Sequence, residues 1–138
     1  MRIVVDTNRV IAALIKDSLS RFILTHGEAE FVTIWFGREE LKKHRKEILE
    51  KAGISETDLE LILDKLFQKM IILDDGVVAK YLPEAEKIIG KTDRADVPFI
   101  AAALATGADI WSEDRHFLKQ KKIRVWKTAE LARELGLL

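Results

Sequence analysis

Short apolar runs alternate with amphipathic segments along the whole chain. Five runs are rich in β-branched or aromatic residues and are bounded by polar ones, which is typical of strands. These predicted strands cover residues 3–5, 31–35, 70–73, 109–112 and 123–126. The segments between them predict helices at about 8–16, 22–27, 38–51, 55–67, 83–89, 96–106 and 128–135. This alternation favours an α/β domain with a mostly parallel sheet covered on both faces.

Local signals refine the predicted helix ends. Thr7 or Asn8 is expected to cap the first helix, and Ser55 is spaced from Asp58 as in a capping box. Pro83 is expected in the first turn of its helix, where a missing N–H costs little.

Length and composition limit the class of protein. A chain of 138 residues is expected to form a single domain, 1–138. Its longest apolar runs, 10–15 and 99–105, are far shorter than the ~18–20 residues of a membrane span. The absence of Cys excludes thiolate chemistry and fits a reducing, cytoplasmic setting, and no signal peptide is expected because Asp6 interrupts the first apolar run.

Charge and amide usage add two points. The 23 basic and 23 acidic residues cancel, which excludes a uniformly basic nucleic-acid binder. Asn8 is the sole Asn, among abundant Lys and Glu, as in thermophile proteins that avoid heat-labile amides. Chance combined with a turn preference explains the single Asn equally well.

Acidic residues follow two of the predicted strands. Asp6 ends the first strand, and Ser112-Glu113-Asp114 ends the fourth. Asp93 and Asp96 lie at the start of the alanine-rich helix. The carboxyl ends of parallel strands share one sheet edge, where ligands bind in such folds, so these acids are expected to converge there.

A fourth acid comes from the helix after the second strand, where Glu39 and Glu40 are adjacent. Adjacent helical residues point about 100° apart, so only one faces a given site, and the pattern does not choose between them. Four carboxylates around one point repel one another by several kcal/mol unless a cation neutralises them. Hard oxygen donors suit Mg²⁺ or Mn²⁺, and such ions support phosphodiester hydrolysis.

These residues together resemble the PIN domain family, which includes the VapC-like ribonuclease toxins of toxin–antitoxin pairs. The resemblance rests on Asp6-Thr7-Asn8, Glu40, Asp96 before Pro98-Phe99-Ile100, and Trp111-Ser112-Glu113-Asp114. It implies a three-layer α/β/α fold with a central, mostly parallel sheet of four to five strands. The implied activity is a Mg²⁺- or Mn²⁺-dependent ribonuclease, and the implied partners are RNA, a small antitoxin and a second copy of the chain.

Residue roles follow from the same resemblance. The implied metal-binding and catalytic acids are Asp6, Glu40, Asp96 and Asp114. The implied supporting groups are Thr7, Asn8, Asp93 and Ser112. His116 is interpreted as a structural or surface residue.

Two basic stretches are candidates for contacting RNA phosphates. They contain Lys42, Lys43, Arg45, Lys46, Lys121 and Lys122. A solvated helix and a solvated loop are the simpler interpretations.

Two rival functions remain open. One is a PIN-like module that binds RNA or protein without cleaving it. The other is a phosphatase-like domain with Asp6 as nucleophile; this is weaker because Asn8 stands where such enzymes place a second Asp.

Overall fold

Five parallel strands form the central sheet, in the spatial order β3-β2-β1-β4-β5. The computed structural model describes residues 1–90 and 94–138, so the predicted supporting residue Asp93 lies outside the described residues. The strands are β1 (Arg2–Val5), β2 (Glu30–Ile34), β3 (Met70–Leu73), β4 (Asp109–Trp111) and β5 (Val125–Trp126). All four pairings are parallel. The predicted parallel sheet is therefore confirmed.

Helices cover both faces of this sheet. They are α1 (Thr7–Ile15), α2 (Ser18–His26), α3 (Trp35–Lys43), α4 (Arg45–Ala52), α5 (Glu56–Gln68), α6 (Asp75–Ile89), α7 (Val97–Thr106), α8 (Arg115–Leu118) and α9 (Thr128–Glu134). On one face, Ile3 and Val5 pack with apolar residues of α1, α2, α4, α5 and α9. On the other, Val4 and Ile110 pack with α6 and α7. The three-layer α/β/α arrangement is thus confirmed.

The alternating direction of the side chains along β1 explains these two cores. Successive strand residues point to opposite faces of the sheet, and Ile3, Val4 and Val5 are all fully buried. A strand covered on both sides therefore needs a continuous apolar run, which is what the sequence contains.

Several predicted helix boundaries were wrong, among them the start of the second helix, which lies at Ser18 and not at Phe22. The segment 38–51 is two helices, α3 and α4, which meet at His44. The helix expected from Pro83 begins eight residues earlier, at Asp75. An interior Pro destabilises a helix by about 3 kcal/mol, because it lacks an N–H and its ring clashes with the preceding turn. Val78 and Ala85, on either side of Pro83, are buried in the core that contains Val4 and Ile110, and this burial stabilises the helix. The cap of α1 is Asp6, not Thr7 or Asn8.

The strand order reverses beside β1, and this reversal positions the site. The chain passes from β1 outward through β2 to β3, then returns to place β4 on the other side of β1. Connections leaving β1 and β4 therefore diverge at their carboxyl ends, which opens a crevice there. None of the helices among the described residues is long and apolar enough to cross a membrane.

Candidate functional site

Asp6 lies at the centre of the crevice, directly after β1. Its side chain is buried and accepts two hydrogen bonds, from the backbone N–H of Asn8 to Oδ1 (3.2 Å) and from the hydroxyl of Ser112 to Oδ2 (2.6 Å). Burial raises the pKa of Asp6, and the charge of Asp114 adds to the rise, while both hydrogen bonds and Arg9 oppose it. The fold thus holds an acid where its ionised form is costly.

Ser112 links the ends of the two central strands. It is 1% exposed, and its hydroxyl donates to Asp6 while accepting from the backbone N–H of Asp114 (2.9 Å). The Asp114 side chain in turn caps α8, since its Oδ1 accepts from the backbone N–H of His116 (2.9 Å). One buried hydroxyl therefore positions Asp6 and Asp114 together.

Asp96 approaches from the start of α7. It is 7% exposed and occupies the N-cap position, yet its side chain makes no capping hydrogen bond. The Nδ1 atom of His116 lies 3.4 Å from Asp96 Oδ2 and 3.5 Å from Asp114 Oδ1. One donor atom from each of these three residues fits within 4.8 Å of the others. Asp96 therefore faces Asp114 instead of serving as a simple helix cap.

Glu40 completes the acidic cluster from α3. Burial raises its pKa and the charge of Asp6 raises it further, while the Thr7 hydroxyl and the positive groups of His44 and Lys43 oppose the rise. Its Oε1 atom is buried and, among the described residues, makes no hydrogen bond of standard geometry. The neighbouring acid, Glu39, is exposed and contacts Lys42 at 3.4 Å. The structure thus places Glu40, not Glu39, beside Asp6.

The close approach of α3 depends on Gly37, a residue that the sequence reasoning missed. A Cβ atom at this position would lie 3.0 Å from Thr7 Oγ1 and 3.1 Å from Thr33 Oγ1. Both threonines are buried. A Gly three residues before an acid on the same helix is the only sequence signal for this contact. Asn8, by contrast, has an exposed side chain and contributes its backbone N–H.

The candidate RNA-binding cations occupy different surroundings. Lys43 is exposed and lies close enough to lower the pKa of Glu40. Arg45 instead pairs with Glu60 (2.7 Å) and Glu56 (3.4 Å) on α5. Lys122 pairs with Glu84 at 3.7 Å. The remaining candidates are exposed: Lys42, Lys46 and Lys121.

The donor set fits a hard divalent cation. Pairwise contacts and charge effects connect Glu40 to Asp6, Asp6 to Asp114, and Asp114 to Asp96. The pKa values of Asp6 and Glu40 are raised, which means that their ionised forms are unfavourable in the pocket. A bound cation would offset that cost. Carboxylate oxygens are the donors preferred by Mg²⁺ and Mn²⁺.

The fold and site together define an α/β protein with an acidic pocket at the switch point of its parallel sheet. Comparison with protein-family models identifies the match: the PIN domain model covers residues 4–136. The chain therefore belongs to the PIN domain family, whose members are generally nucleases and typically use divalent metals.

A solved structure has the same fold. The chain is similar to one in the crystal structure of VapBC2 from Rickettsia felis bound to a DNA fragment from their promoter. The TM-score is 0.68 at 13% identity, over 92% of this chain and 98% of that one. No curated protein matches the sequence significantly.

Proposed function

We propose that this protein is a divalent-metal-dependent endoribonuclease that hydrolyses RNA phosphodiester bonds. The observation that carries the proposal is the convergence of Asp6, Asp96 and Asp114, with the half-buried Glu40 beside Asp6, at one sheet edge. No single one of these acids would indicate a nuclease. The pKa values of Asp6 and Glu40 are both raised although hydrogen bonds and nearby cations oppose the rise, so the ionised pair is costly to the fold, which favours a functional role over a structural one.

The roles of the individual residues follow from their contacts. Asp6, Asp96 and Asp114 would hold the cation, and Glu40 would complete the set from the α3 side. A bound Mg²⁺ or Mn²⁺ would lower the pKa of the attacking water and stabilise negative charge on the phosphate. The 2.6 Å hydrogen bond from Ser112 lowers the pKa of Asp6, against the larger rise caused by burial, and fixes the direction of the carboxylate.

Positive charge for the substrate would come from the rim of the pocket. Lys43 is the proposed RNA contact whose charge lowers the pKa of Glu40, so we expect it to bind phosphate at the rim of the pocket. Arg45 is held by two glutamates, so we expect it to contribute less. Backbone phosphates are bound by such cations without reading the bases.

We further propose that the enzyme acts in the cytoplasm as the toxin of a toxin–antitoxin pair. The support is the PIN family match together with a fold similar to that in VapBC2. A small antitoxin is the expected partner, and a homodimer is the expected assembly. On α5, Leu59 is buried in the core while Leu61 and Ile62 are exposed, which leaves apolar surface for such contacts.

Cleavage of labelled single-stranded RNA tests the proposal. Purified protein is incubated with Mg²⁺, Mn²⁺ or chelator, beside Asp6→Asn and Asp96→Asn. Asp17→Asn is the matched control, because Asp17 also caps a helix but lies outside the acidic cluster. We expect cleavage by the wild type and Asp17→Asn that is lost with chelator and in the two site variants.

Other results would overturn the proposal. Cleavage that survives chelator, or survives both site substitutions, contradicts the metal-nuclease mechanism. Tight RNA binding without cleavage under either metal favours the binding module. A trapped phosphoryl adduct on Asp6 would favour the phosphatase-like domain.

A further inference from the structure

His116 lies within the acidic pocket, although its sequence context gave it no role. Its Nδ1 atom is 3.4 Å from Asp96 Oδ2 and 3.5 Å from Asp114 Oδ1. The donor atoms of the three residues fit within 4.8 Å, a span that one metal ion can bridge. The imidazole therefore presents a nitrogen at the point where the two carboxylates meet.

Local structure fixes this orientation. The backbone N–H of His116 donates to Asp114 Oδ1, so the Asp114 carboxylate is held next to the backbone of His116 at the start of α8. Asp96 comes from a different element, the start of α7, and is almost fully buried. The His116 side chain is 49% exposed, so an ion can reach the group from solvent.

We propose that His116 Nδ1 is a third ligand at the Asp96–Asp114 end of the pocket and biases the site toward Mn²⁺ over Mg²⁺. This inference rests on the proposed function, in which the pocket holds a divalent cation. Mg²⁺ prefers oxygen donors and waters, whereas imidazole binds transition metals better. A site with both nitrogen and oxygen donors would therefore favour Mn²⁺ over Mg²⁺, whereas carboxylate oxygens alone suit both ions.

The competing interpretation is an ion pair. A protonated imidazole between two carboxylates would produce similar distances without any metal, and its charge would stabilise the acids instead of selecting an ion. The two interpretations differ in whether a nitrogen is bonded to the metal, which electron spin echo spectroscopy of Mn²⁺ detects directly.

The test records electron spin echo envelope modulation on the Mn²⁺-loaded protein. We expect ¹⁴N coupling typical of imidazole in the wild type, a change in that coupling on ¹⁵N-histidine labelling, and its loss in His116→Gln. His44→Gln is the matched control, because His44 also lies near the pocket, on the Glu40 side. It should keep the coupling.

Affinity gives a second measurement. Calorimetric titration should show His116→Gln binding Mn²⁺ about tenfold or more weakly, with Mg²⁺ affinity changed by less than about threefold. Bound Mn²⁺ without nitrogen coupling, or coupling lost in His44→Gln and not in His116→Gln, would overturn the role of His116 and leave the nuclease proposal intact. Failure of the wild type to bind either ion would instead overturn the proposed metal pocket itself.

Discussion

Ser112→Ala tests how the pocket is held together. The substitution removes one hydroxyl and with it two hydrogen bonds, the 2.6 Å bond donated to Asp6 and the 2.9 Å bond accepted from the Asp114 backbone. The residue is 1% exposed, so solvent does not readily replace either bond. The side chain of Asp6 and the backbone of Asp114 lose their shared partner at once, while the backbone pairing of β1 with β4 remains.

The expected cost follows from the kind of bond lost. A hydrogen bond to a charged group contributes about 1.5–3 kcal/mol and a neutral one about 0.5–1.5 kcal/mol. We therefore expect Ser112→Ala to lower the free energy of unfolding by about 2–4 kcal/mol. Ser20→Ala is the control: Ser20 is equally buried, but it donates one 2.8 Å bond to Asp17, whose side chain is 30% exposed. It should cost about 1 kcal/mol, because water reaches that carboxylate.

Urea unfolding of the two variants and the wild type, with chelator present, measures these costs. The sign of the pH dependence is a further check. The Ser112 bond lowers the pKa of Asp6, so its loss raises that pKa further. The part of the Ser112→Ala cost that depends on the charge of Asp6 is fully present above the pKa that Asp6 has in the folded variant. That part is absent at low pH, where Asp6 is protonated in the folded and unfolded states of both proteins. A Ser112→Ala cost no larger than that of Ser20→Ala at pH 7 would mean that the Ser112 hydroxyl does not hold the pocket together.

Further predictions concern α3 and the metal. Glu40→Gln should raise the melting temperature of the metal-free protein at pH 7, because a carboxyl with a raised pKa destabilises the fold above that pKa. The gain should disappear near pH 3, where the carboxyl is protonated in both the folded and the unfolded protein. No gain at pH 7 would mean that burial of Glu40 does not destabilise the fold. Gly37→Ala should lower the free energy of unfolding by about 1–3 kcal/mol, since the added Cβ would meet Thr7 and Thr33. Gly76→Ala should raise it by up to about 1 kcal/mol, because a Cβ there meets nothing within 4 Å. Equal effects of the two variants in urea unfolding would exclude the close contact at Gly37. Mn²⁺ at 100 times its Kd should stabilise the wild type by about 2.7 kcal/mol in thermal unfolding, and chelator should reverse this.

The sequence predicted the strands and the convergence of the acids well, for a physical reason. A strand buried on both faces must be continuously apolar, so Ile3-Val4-Val5 and Ile110-Trp111 were recognisable without any tertiary information. Parallel pairing then requires that Asp6 and Asp114 emerge at the same edge. The fold class and the placement of Asp6 and Asp114 at one sheet edge follow from these local patterns.

What the sequence left open depends on tertiary packing. The choice between Glu39 and Glu40 is set by how α3 rotates against Thr7, which Gly37 permits and no local pattern encodes. Helix α6 continues through Pro83 because both halves are buried against the second core, against the local preference of Pro. His116 joins the site only because α7 brings Asp96 to the same place.

Anomalous diffraction from a crystal soaked in Mn²⁺ shows whether these acids form a metal centre. We expect an anomalous peak within coordination distance of the Asp96 and Asp114 carboxylates, weakened or lost in Asp96→Asn and retained in Asp17→Asn. A crystal of the wild type that shows no peak in this pocket at saturating Mn²⁺ would mean that the acids do not form a metal centre.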